Sequence, residues 1–296
     1  MYYFIVNPIA GNGRCPGIMQ TLSGALNARG IEYETALTKA PGHATELAIQ
    51  ASERGCGAVV AVGGDGTVME TAAGLLKAGK KAAALGIIPG GTGNDYRRSF
   101  GIPQDAARAL GIVLDGTPKE TDAGLFNGKP FFNIGSVGFD VTVVEESGRL
   151  KKTLGALSYY AAVFKTLASY RCRKMRLWIN GVLQEKEILI SAIGNGLFYG
   201  GGMKVLPKAE PGDGSFDVCV VDRIPPVKIA MLFPQFSTGS HGKFPFVKFY
   251  RCENVVIDST GEPFSVQTDG EIFKNVTSAE FSVLPGALRV LAPAVP

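Results

Sequence analysis

Long apolar runs are missing from this 296-residue sequence: although 46% of its residues are hydrophobic, no uninterrupted stretch approaches the roughly 18 to 20 needed for a helix to cross a bilayer. Cysteine is scarce. Cys15, Cys56, Cys172, Cys219 and Cys252 are odd in number, widely separated and without a Cys-x-x-Cys pair, so they read as free thiols with neither a disulfide framework nor a zinc site. Histidine is scarcer, with only His43 and His241, neither of which has a partner at metal-ligand spacing. His43 falls at a helix start, suited to a cap or a nucleotide neighbour, and His241 lies in a Gly/Ser-rich loop. The net charge of +4 is a small surplus, and no recognition motif accompanies it, so nucleic acid is not an expected partner. The first residues, Met1 to Pro8, lack the basic region and apolar length of a signal peptide and read as a strand, which makes the expected location cytoplasmic.

Glycine is plentiful, with 39 residues, and two glycine-rich segments carry the chemistry. The apolar run Ala58 to Val62 leads into Gly63-Gly64-Asp65-Gly66-Thr67, followed by Met69, Ala72, Ala73 and Leu76 at one-face helical spacing. This reads as strand, tight turn and helix. Glycines there would allow positive φ and close approach to a ligand, while the new helix points unpaired N–H groups at an anion. Asp65 is the odd element, since a carboxylate repels phosphate unless a divalent cation or a reacting hydroxyl lies between them.

Ala84 to Ile88 is a second buried-strand candidate, and it runs into Pro89-Gly90-Gly91-Thr92-Gly93-Asn94-Asp95. Gly and Asp dominate ordinary turns, so either loop alone is weak. Two of them at the carboxyl ends of parallel strands would meet at one rim of a sheet, where open α/β folds bind ligands. Neither is a Walker A loop or a dinucleotide fingerprint. Amides of Gly11, Gly64, Gly66 and Gly93, with the Thr67 and Thr92 hydroxyls, would cradle phosphates.

Up to about residue 120, short apolar strands (2–6, 31–37, 57–62, 83–88) alternate with helical patterns (16–29, 43–54, 67–78, 103–115), the signature of a three-layer α/β domain. Beyond it, Asn127-Gly128 and Asn180-Gly181 signal hairpins, and strand-like runs recur at 130–137, 171–179, 186–194, 214–221, 253–258 and 276–284. The expected second domain is mainly antiparallel.

These motifs, in this order, resemble the diacylglycerol kinase catalytic-domain superfamily, whose members include bacterial soluble lipid kinases and the sphingosine and ceramide kinases. The resemblance runs nearly end to end. It takes in Asn7-Pro8-Ile9-Ala10-Gly11, Thr38 before Gly42-His43-Ala44, Gly63 to Thr67 with Glu70, Pro89 to Asp95, Gly200 to Lys204, Asp213 to Asp217, and Thr268-Asp269-Gly270-Glu271. It implies a nucleotide-binding domain (residues 1–122 with the returning strand 286–296) similar to NAD kinases and phosphofructokinases. A β-sandwich substrate domain (123–285) would follow, with the active site in the cleft between them. The implied reaction is transfer of the γ-phosphate of ATP, with Mg²⁺, to the hydroxyl of a membrane lipid such as diacylglycerol. Asn7, Pro8, Gly11, Thr38, Gly63, Gly64, Asp65, Gly66, Thr67, Glu70, Gly91, Thr92, Gly93 and Asn94 are the implied nucleotide contacts.

Asp65 would serve the catalytic magnesium, and the base falls within the trio Asp65, Asp269 and Glu271. The last two flank a glycine, from which both carboxylates can converge on one position; by itself Asp-Gly is also a common hairpin turn. A matching loop in bacterial relatives implies a structural magnesium held by Asp213 with the backbone of Glu210 and Ser215, although Pro211 and Gly212 could alter its geometry and a surface turn is the alternative. An NAD kinase-like or other small-molecule kinase, and a non-catalytic lipid-binding protein, are the competing functions.

Between Ser147 and Gln184 there is no acidic residue, against Arg149, Lys151, Lys152, Lys165, Arg171, Arg173, Lys174 and Arg176, with Tyr159, Tyr160, Phe164 and Tyr170 interleaved. Such a stretch suits either an anionic membrane surface or a solvated helix face. A second acid-free stretch, Arg223 to Cys252, carries Met231-Leu232-Phe233 and Phe244-Pro245-Phe246, and either stretch could line a lipid entrance or form core. The expected partners are therefore ATP, a lipid alcohol and an anionic membrane surface, with a homodimer left open.

Overall fold

The computed structural model describes residues 1–79, 82–154, 165–166 and 170–294. Tyr159, Tyr160 and Phe164 lie outside the described residues, as do the side chains of Arg149, Lys151 and Lys152.

The chain begins with four parallel strands, β1 (Tyr2–Val6), β2 (Tyr33–Leu37), β3 (Ala58–Gly63) and β4 (Ala84–Pro89), in the order β2-β1-β3-β4. Helices α1 (Cys15–Ala28), α2 (His43–Glu53), α3 (Asp65–Ala78) and α4 (Ala106–Asp115) connect and flank them. Every residue of β3 and β4 is buried, as a parallel strand covered on both faces requires. The inward face of α3 is Val68, Ala72 and Leu75. Of the expected stripe of Met69, Ala72, Ala73 and Leu76, Ala72 is buried and the other three are partly buried at the edge of the core. Thr67 and Thr71 are buried on the same side, with Thr71 Oγ1 donating back to the Thr67 carbonyl at 2.8 Å.

The antiparallel part comprises β5 (Thr117–Phe126), β6 (Lys129–Phe131), β7 (Ile134–Gly138), β8 (Arg173–Ile179) and β9 (Val182–Gly194), then the short pair β10 (Phe198–Tyr199) and β11 (Met203–Lys204), and β12 (Phe216–Asp222). It continues with β13 (Val247–Cys252), β14 (Asn254–Ser259), β15 (Phe264–Thr268), β16 (Glu271–Val276) and β17 (Ser278–Ala292). Two further helices, α5 (Phe139–Leu154) and α6 (Pro226–Thr238), cover it. One apolar cluster, including Phe131, Phe216, Val255 and Phe281, fills the β-sandwich. Another, including Phe139, Leu189, Leu232 and Phe236, lies under α5 and α6. The long β17 joins the two parts: it pairs antiparallel with β5 and β14, then runs parallel to β4 at Val290↔Leu85. This is the return strand expected near Leu288 to Leu291.

The sequence reading and the structure differ at several elements. β5 begins with four exposed residues and so carries no strand signal at its start. The 130–137 run is two strands, because the amides of Phe132, Asn133 and Ile134 bond to Asp269 rather than to a neighbouring strand. The 276–284 run is the junction of the β16 hairpin with β17. Helix α6 went unread in a stretch rich in proline; it starts on Pro226 and tolerates Pro234 one turn before its end at Gly239.

Arg173, Lys174 and Arg176 belong to β8, where they pair with Glu262, Glu185 and Asp258. That part of the basic stretch is a solvated strand face and not a basic helix. His241 is fully buried, with Nε2 2.9 Å from the Val205 carbonyl oxygen and its ring against Phe236 and Phe249. The five cysteines are free thiols.

Candidate active site

Three loops meet at the carboxyl ends of β1, β3 and β4, and their glycines pack against one another. A Cβ on Gly91 would lie 2.3 Å from the Gly64 Cα, and one on Gly90 would lie 2.3 Å from the Cys15 Sγ. A Cβ on Gly63 would meet the Thr67 Oγ1 at 2.5 Å. None of Gly63, Gly64, Gly66, Gly90, Gly91 or Gly93 has a positive φ. The expected reason is thus corrected: close approach of neighbouring atoms, and not left-handed backbone, demands these glycines, except Gly66, which faces open space. Gly11 is different, with φ +57° and a Cβ position 2.0 Å from the Gly90 oxygen. Arg14 ties the first loop to the third by donating from Nε to Gly90 O at 3.0 Å and from Nη2 to Gly91 O at 2.6 Å. Asn94 closes the third loop on itself, accepting from Gly91 N at 3.0 Å.

Gly66 has open space where a side chain would be. It lies in the first turn of α3, whose N-cap, Gly64, offers no side-chain acceptor, so the first-turn amides stay available to an anion. A cavity opens there, lined by Asn7, Pro8, Thr38, Gly66, Thr67 and Glu70 among others. Asn7 Nδ2 donates to Thr67 Oγ1 at 2.9 Å, and Glu70 Oε2 accepts from Ala44 N at 3.2 Å. His43 serves its loop, with Nδ1 accepting from Lys39 N at 3.1 Å. Six of the sequence-proposed nucleotide residues therefore share one cavity. Thr92, exposed, and Gly93 stay on the third loop and outside that lining.

A second cavity lies on the other side of Asp65 and is lined by the carboxylates of Asp65, Asp95, Asp140 and Asp269. Asp65 Oδ1 accepts from Asp95 N at 2.7 Å and Tyr96 N at 3.1 Å, binding the second loop to the third. Asp95 Oδ2 accepts from Gly201 N at 2.7 Å, and its Oδ1 faces Arg98 Nε at 3.5 Å. Burial raises the Asp95 carboxyl above the usual range, the Gly201 N–H opposes that, and the nearby Asp65 charge adds to it. Asp95 was read only as part of its motif, and Asp140 follows no motif at all.

Asp269 occupies the two-residue turn between β15 and β16 with φ +52°. It accepts from Phe132 N at 2.7 Å, Asn133 N at 2.9 Å and Ile134 N at 3.2 Å. Burial pushes its carboxyl up to about 6, against the pull of those three donors. Glu271, across the turn, is exposed and outside the lining of this cavity. The two carboxylates thus stand in different surroundings and do not converge as the sequence suggested.

In the loop expected to hold a structural magnesium, Asp213 Oδ1 accepts from Ser215 N at 3.0 Å while Oδ2 is paired with the Arg251 guanidinium. Buried Asp122 supports the same loop, accepting from Gly214 N at 2.7 Å and from Gly286 N at 2.8 Å. Glu210 is exposed, and among the described residues no group of three metal-ligating side chains converges. Arg251 thus balances the Asp213 charge in this loop, where the other expected ligands are the backbone oxygens of Glu210 and Ser215.

Residues 1–126 match the diacylglycerol kinase catalytic domain, and residues 133–292 match the YegS C-terminal NAD kinase beta sandwich-like domain. The chain is 32% identical to a diacylglycerol kinase of Mycobacterium tuberculosis (strain CDC 1551 / Oshkosh), over 98% of this chain and 94% of that one. A diacylglycerol kinase of Staphylococcus haemolyticus (strain JCSC1435) is 28% identical over 98% and 87% of the two chains. Among solved structures, a chain from Bacillus anthracis str. Sterne superposes with a TM-score of 0.80 at 26% identity, covering 99% of this chain and 98% of that one.

Proposed function

Because the chain belongs to the diacylglycerol kinase catalytic-domain family, we propose that it transfers the γ-phosphate of ATP to the free hydroxyl of diacylglycerol, giving phosphatidic acid. Family membership makes it a phosphotransferase with an alcohol acceptor that uses ATP. One observation carries the finer reading. Gly66 and Thr67 line one cavity, while Asp65, their neighbour in the same helical turn, lines the other. A nucleotide held by the first-turn amides would present its terminal phosphate toward the acceptor side.

Asp65 is our assignment for the carboxylate at the reacting centre. Its Oδ1 is fixed by two amides, which orients Oδ2 toward the glycine loops and the cavity. A bound Mg²⁺ would supply charge neutralisation of the phosphates, and it fits this donor set because it needs only one or two carboxylates when phosphate oxygens and water complete its shell. Asp65 and Asp95 are the residues that would hold it. Asp269 acts as a positioning residue, since its oxygens are committed to the backbone between β6 and β7. We keep residues 1–122 with 286–296 as the nucleotide domain and 123–285 as the acceptor domain.

Contact with an anionic membrane is supported by α6. Val227 and Met231, one turn apart, are 74% and 62% exposed, and Lys228, Lys243 and Lys248 are exposed in the acid-free stretch around them. Apolar side chains at the interface with cations beside them fit a cytoplasmic membrane surface. Sedimentation tests the homodimer expectation.

The test is transfer from γ-labelled ATP with Mg²⁺ to diacylglycerol, monoacylglycerol, ceramide, sphingosine and undecaprenol in mixed micelles, beside NAD. Label in phosphatidic acid supports the reading, and label only in NAD phosphate overturns it.

A further inference from the structure

Gly200-Gly201-Gly202 is the tip of the β10–β11 hairpin, whose stem pairs Phe198 with Lys204 and Tyr199 with Met203. The hairpin docks at three points on the residues that follow the third glycine loop. At its base, Leu197 N donates to Ser99 Oγ at 2.9 Å. At its tip, Gly201 N donates to Asp95 Oδ2 at 2.7 Å. Gly202 packs on Arg98, and a Cβ there would lie 3.6 Å from the guanidinium carbon. Asp95, Arg98 and Ser99 belong to one short segment that contains the helix Tyr96–Phe100. Gly200 also lines the acceptor cavity beside Asp65 and Asp95, so a hairpin from the acceptor side reaches the carboxylate pair of the nucleotide side.

The three glycines have φ of +64°, +85° and +112°, a run that residues with a side chain rarely adopt. Crowding does not explain Gly201, which is exposed and has no described atom within 4 Å of where its Cβ would be. What the conformation achieves is direction. Successive backbone N–H groups in a turn form a concavity for an anion, and the anion here is the carboxylate of Asp95, a residue only 6% exposed. With Oδ2 held by Gly201, Oδ1 makes no hydrogen bond among the described residues and faces Arg98 Nε at 3.5 Å. A buried carboxylate with one oxygen fixed and the other without a hydrogen bond is set to take a further ligand.

Resting on the assignment of Asp95 as a metal carboxylate, we infer that the Gly200–Gly202 tip positions Asp95 for the cation, so that the acceptor side completes the metal site of the nucleotide side. Gly201 is a positioning residue: it touches neither substrate and acts through one N–H on one oxygen. Arg98 is what it acts against. A carboxylate free to turn beside a guanidinium pairs with it through both oxygens, and Asp95 would then be engaged by Arg98 and lost to the cavity. The Gly201 N–H prevents that turn by keeping Oδ2 on the hairpin.

The experiment compares Gly201→Asn with Gly201→Val. Both side chains meet open space, but asparagine accepts a positive φ and valine does not, so the pair separates the direction of the N–H from the presence of a side chain. Mn²⁺ binding to the ADP-loaded enzyme, read by electron paramagnetic resonance, and the Mg²⁺ concentration for half-maximal lipid phosphorylation are measured. The proteins are the wild type, the two variants, Asp95→Asn, and the Asp95→Asn Gly201→Val double variant. Gly201→Val is expected to weaken Mn²⁺ by about tenfold, the effect of one hydrogen bond to a charged group, and to raise the Mg²⁺ requirement with it. Gly201→Asn stays within about threefold of the wild type. In the Asp95→Asn background Gly201→Val adds little, because both changes act on one interaction. Gly201→Ala, less strained than valine, gives the same comparison if Gly201→Val does not fold. Wild-type Mn²⁺ affinity in Gly201→Val, an equal loss in Gly201→Asn, or an equal loss with and without Asp95 overturns the inference. The Mn²⁺ titration involves no lipid and decides the inference by itself, whereas a wild type that phosphorylates no lipid overturns the lipid kinase reading alone.

Discussion

The nucleotide-facing loops and the acceptor cavity share one rim of one sheet, yet they are built in opposite ways. On the nucleotide side the working parts are backbone amides, and the side chains that matter are mostly the missing ones: Gly63, Gly64, Gly90 and Gly91 are required because the loops touch where Cβ atoms would be. On the acceptor side the working parts are carboxyl groups partly or wholly withdrawn from water, and burial raises Asp95, Asp140 and Asp269 alike. A site made of amides is set by loop packing, whereas one made of buried acids is set by what the surrounding elements exclude. Asp65 lines the acceptor cavity from the first turn of α3, beside Gly66 and Thr67 of the nucleotide side.

If that contrast holds, the largest effect comes from the residue where the two sides meet. Asp65→Asn keeps the acceptor for the Asp95 and Tyr96 amides while removing the charge. Its kcat should fall by about 10² to 10⁴, with ATP affinity from calorimetry nearly unchanged. Next comes Gly91→Ala, which forces the loops after β3 and β4 apart. It should lower the melting temperature by several degrees, for an overpacking cost of about 1 to 3 kcal/mol, and raise KM for ATP more than KM for lipid. Gly66→Ala is its control, because no protein atom lies near the new methyl. It should melt like the wild type and weaken ATP only, so a matching loss of lipid affinity would break the distinction between the two sides.

Glu271→Gln sharpens the assignment of the base. A loss in kcat at least tenfold smaller than that of Asp65→Asn is expected from its exposed position, and an equal loss would move the proton-accepting role to Glu271. The smallest effect is a pH dependence. Asp269 titrates near 6 in the folded chain against an ordinary 3.8, so the native state binds the proton more tightly than the unfolded one. Its contribution to stability is complete below about pH 4 and is lost as pH rises through about 6. Asp269→Asn does not titrate, so the margin by which the wild type out-melts it should shrink from pH 4 to pH 7, and a constant margin would contradict the burial argument.

The same contrast explains what could be read from residue order. The nucleotide side was legible because each loop is contiguous: strand, glycines and helix follow one another at Val62 to Thr67, and at Ile88 to Asp95 up to the short helix that follows. The reason for the glycines was not legible, since contact between Gly64 and Gly91 is a tertiary fact. On the acceptor side, Asp65, Asp95, Asp140, Tyr199 and Asp269 come from five separate segments, and Asp140 looks in sequence like any acid at a helix start. The expected pairing of Asp269 with Glu271 failed because Asp269, at φ +52° in the turn, is held by three amides of residues 132–134, while Glu271 opens β16 in an exposed position. Arg251, which neutralises Asp213, lies on β13, a strand that carried no signal of its own.

The most direct measurement is a single turnover in which enzyme loaded with Mg²⁺ and γ-labelled ATP is mixed rapidly with diacylglycerol micelles or with empty micelles. Direct transfer between the two cavities predicts that the label passes to phosphatidic acid in one exponential, with no labelled protein and little release to water when lipid is absent. Label held on the protein, or freed as inorganic phosphate at the same rate without lipid, would contradict a single site in which Asp65 joins nucleotide and acceptor.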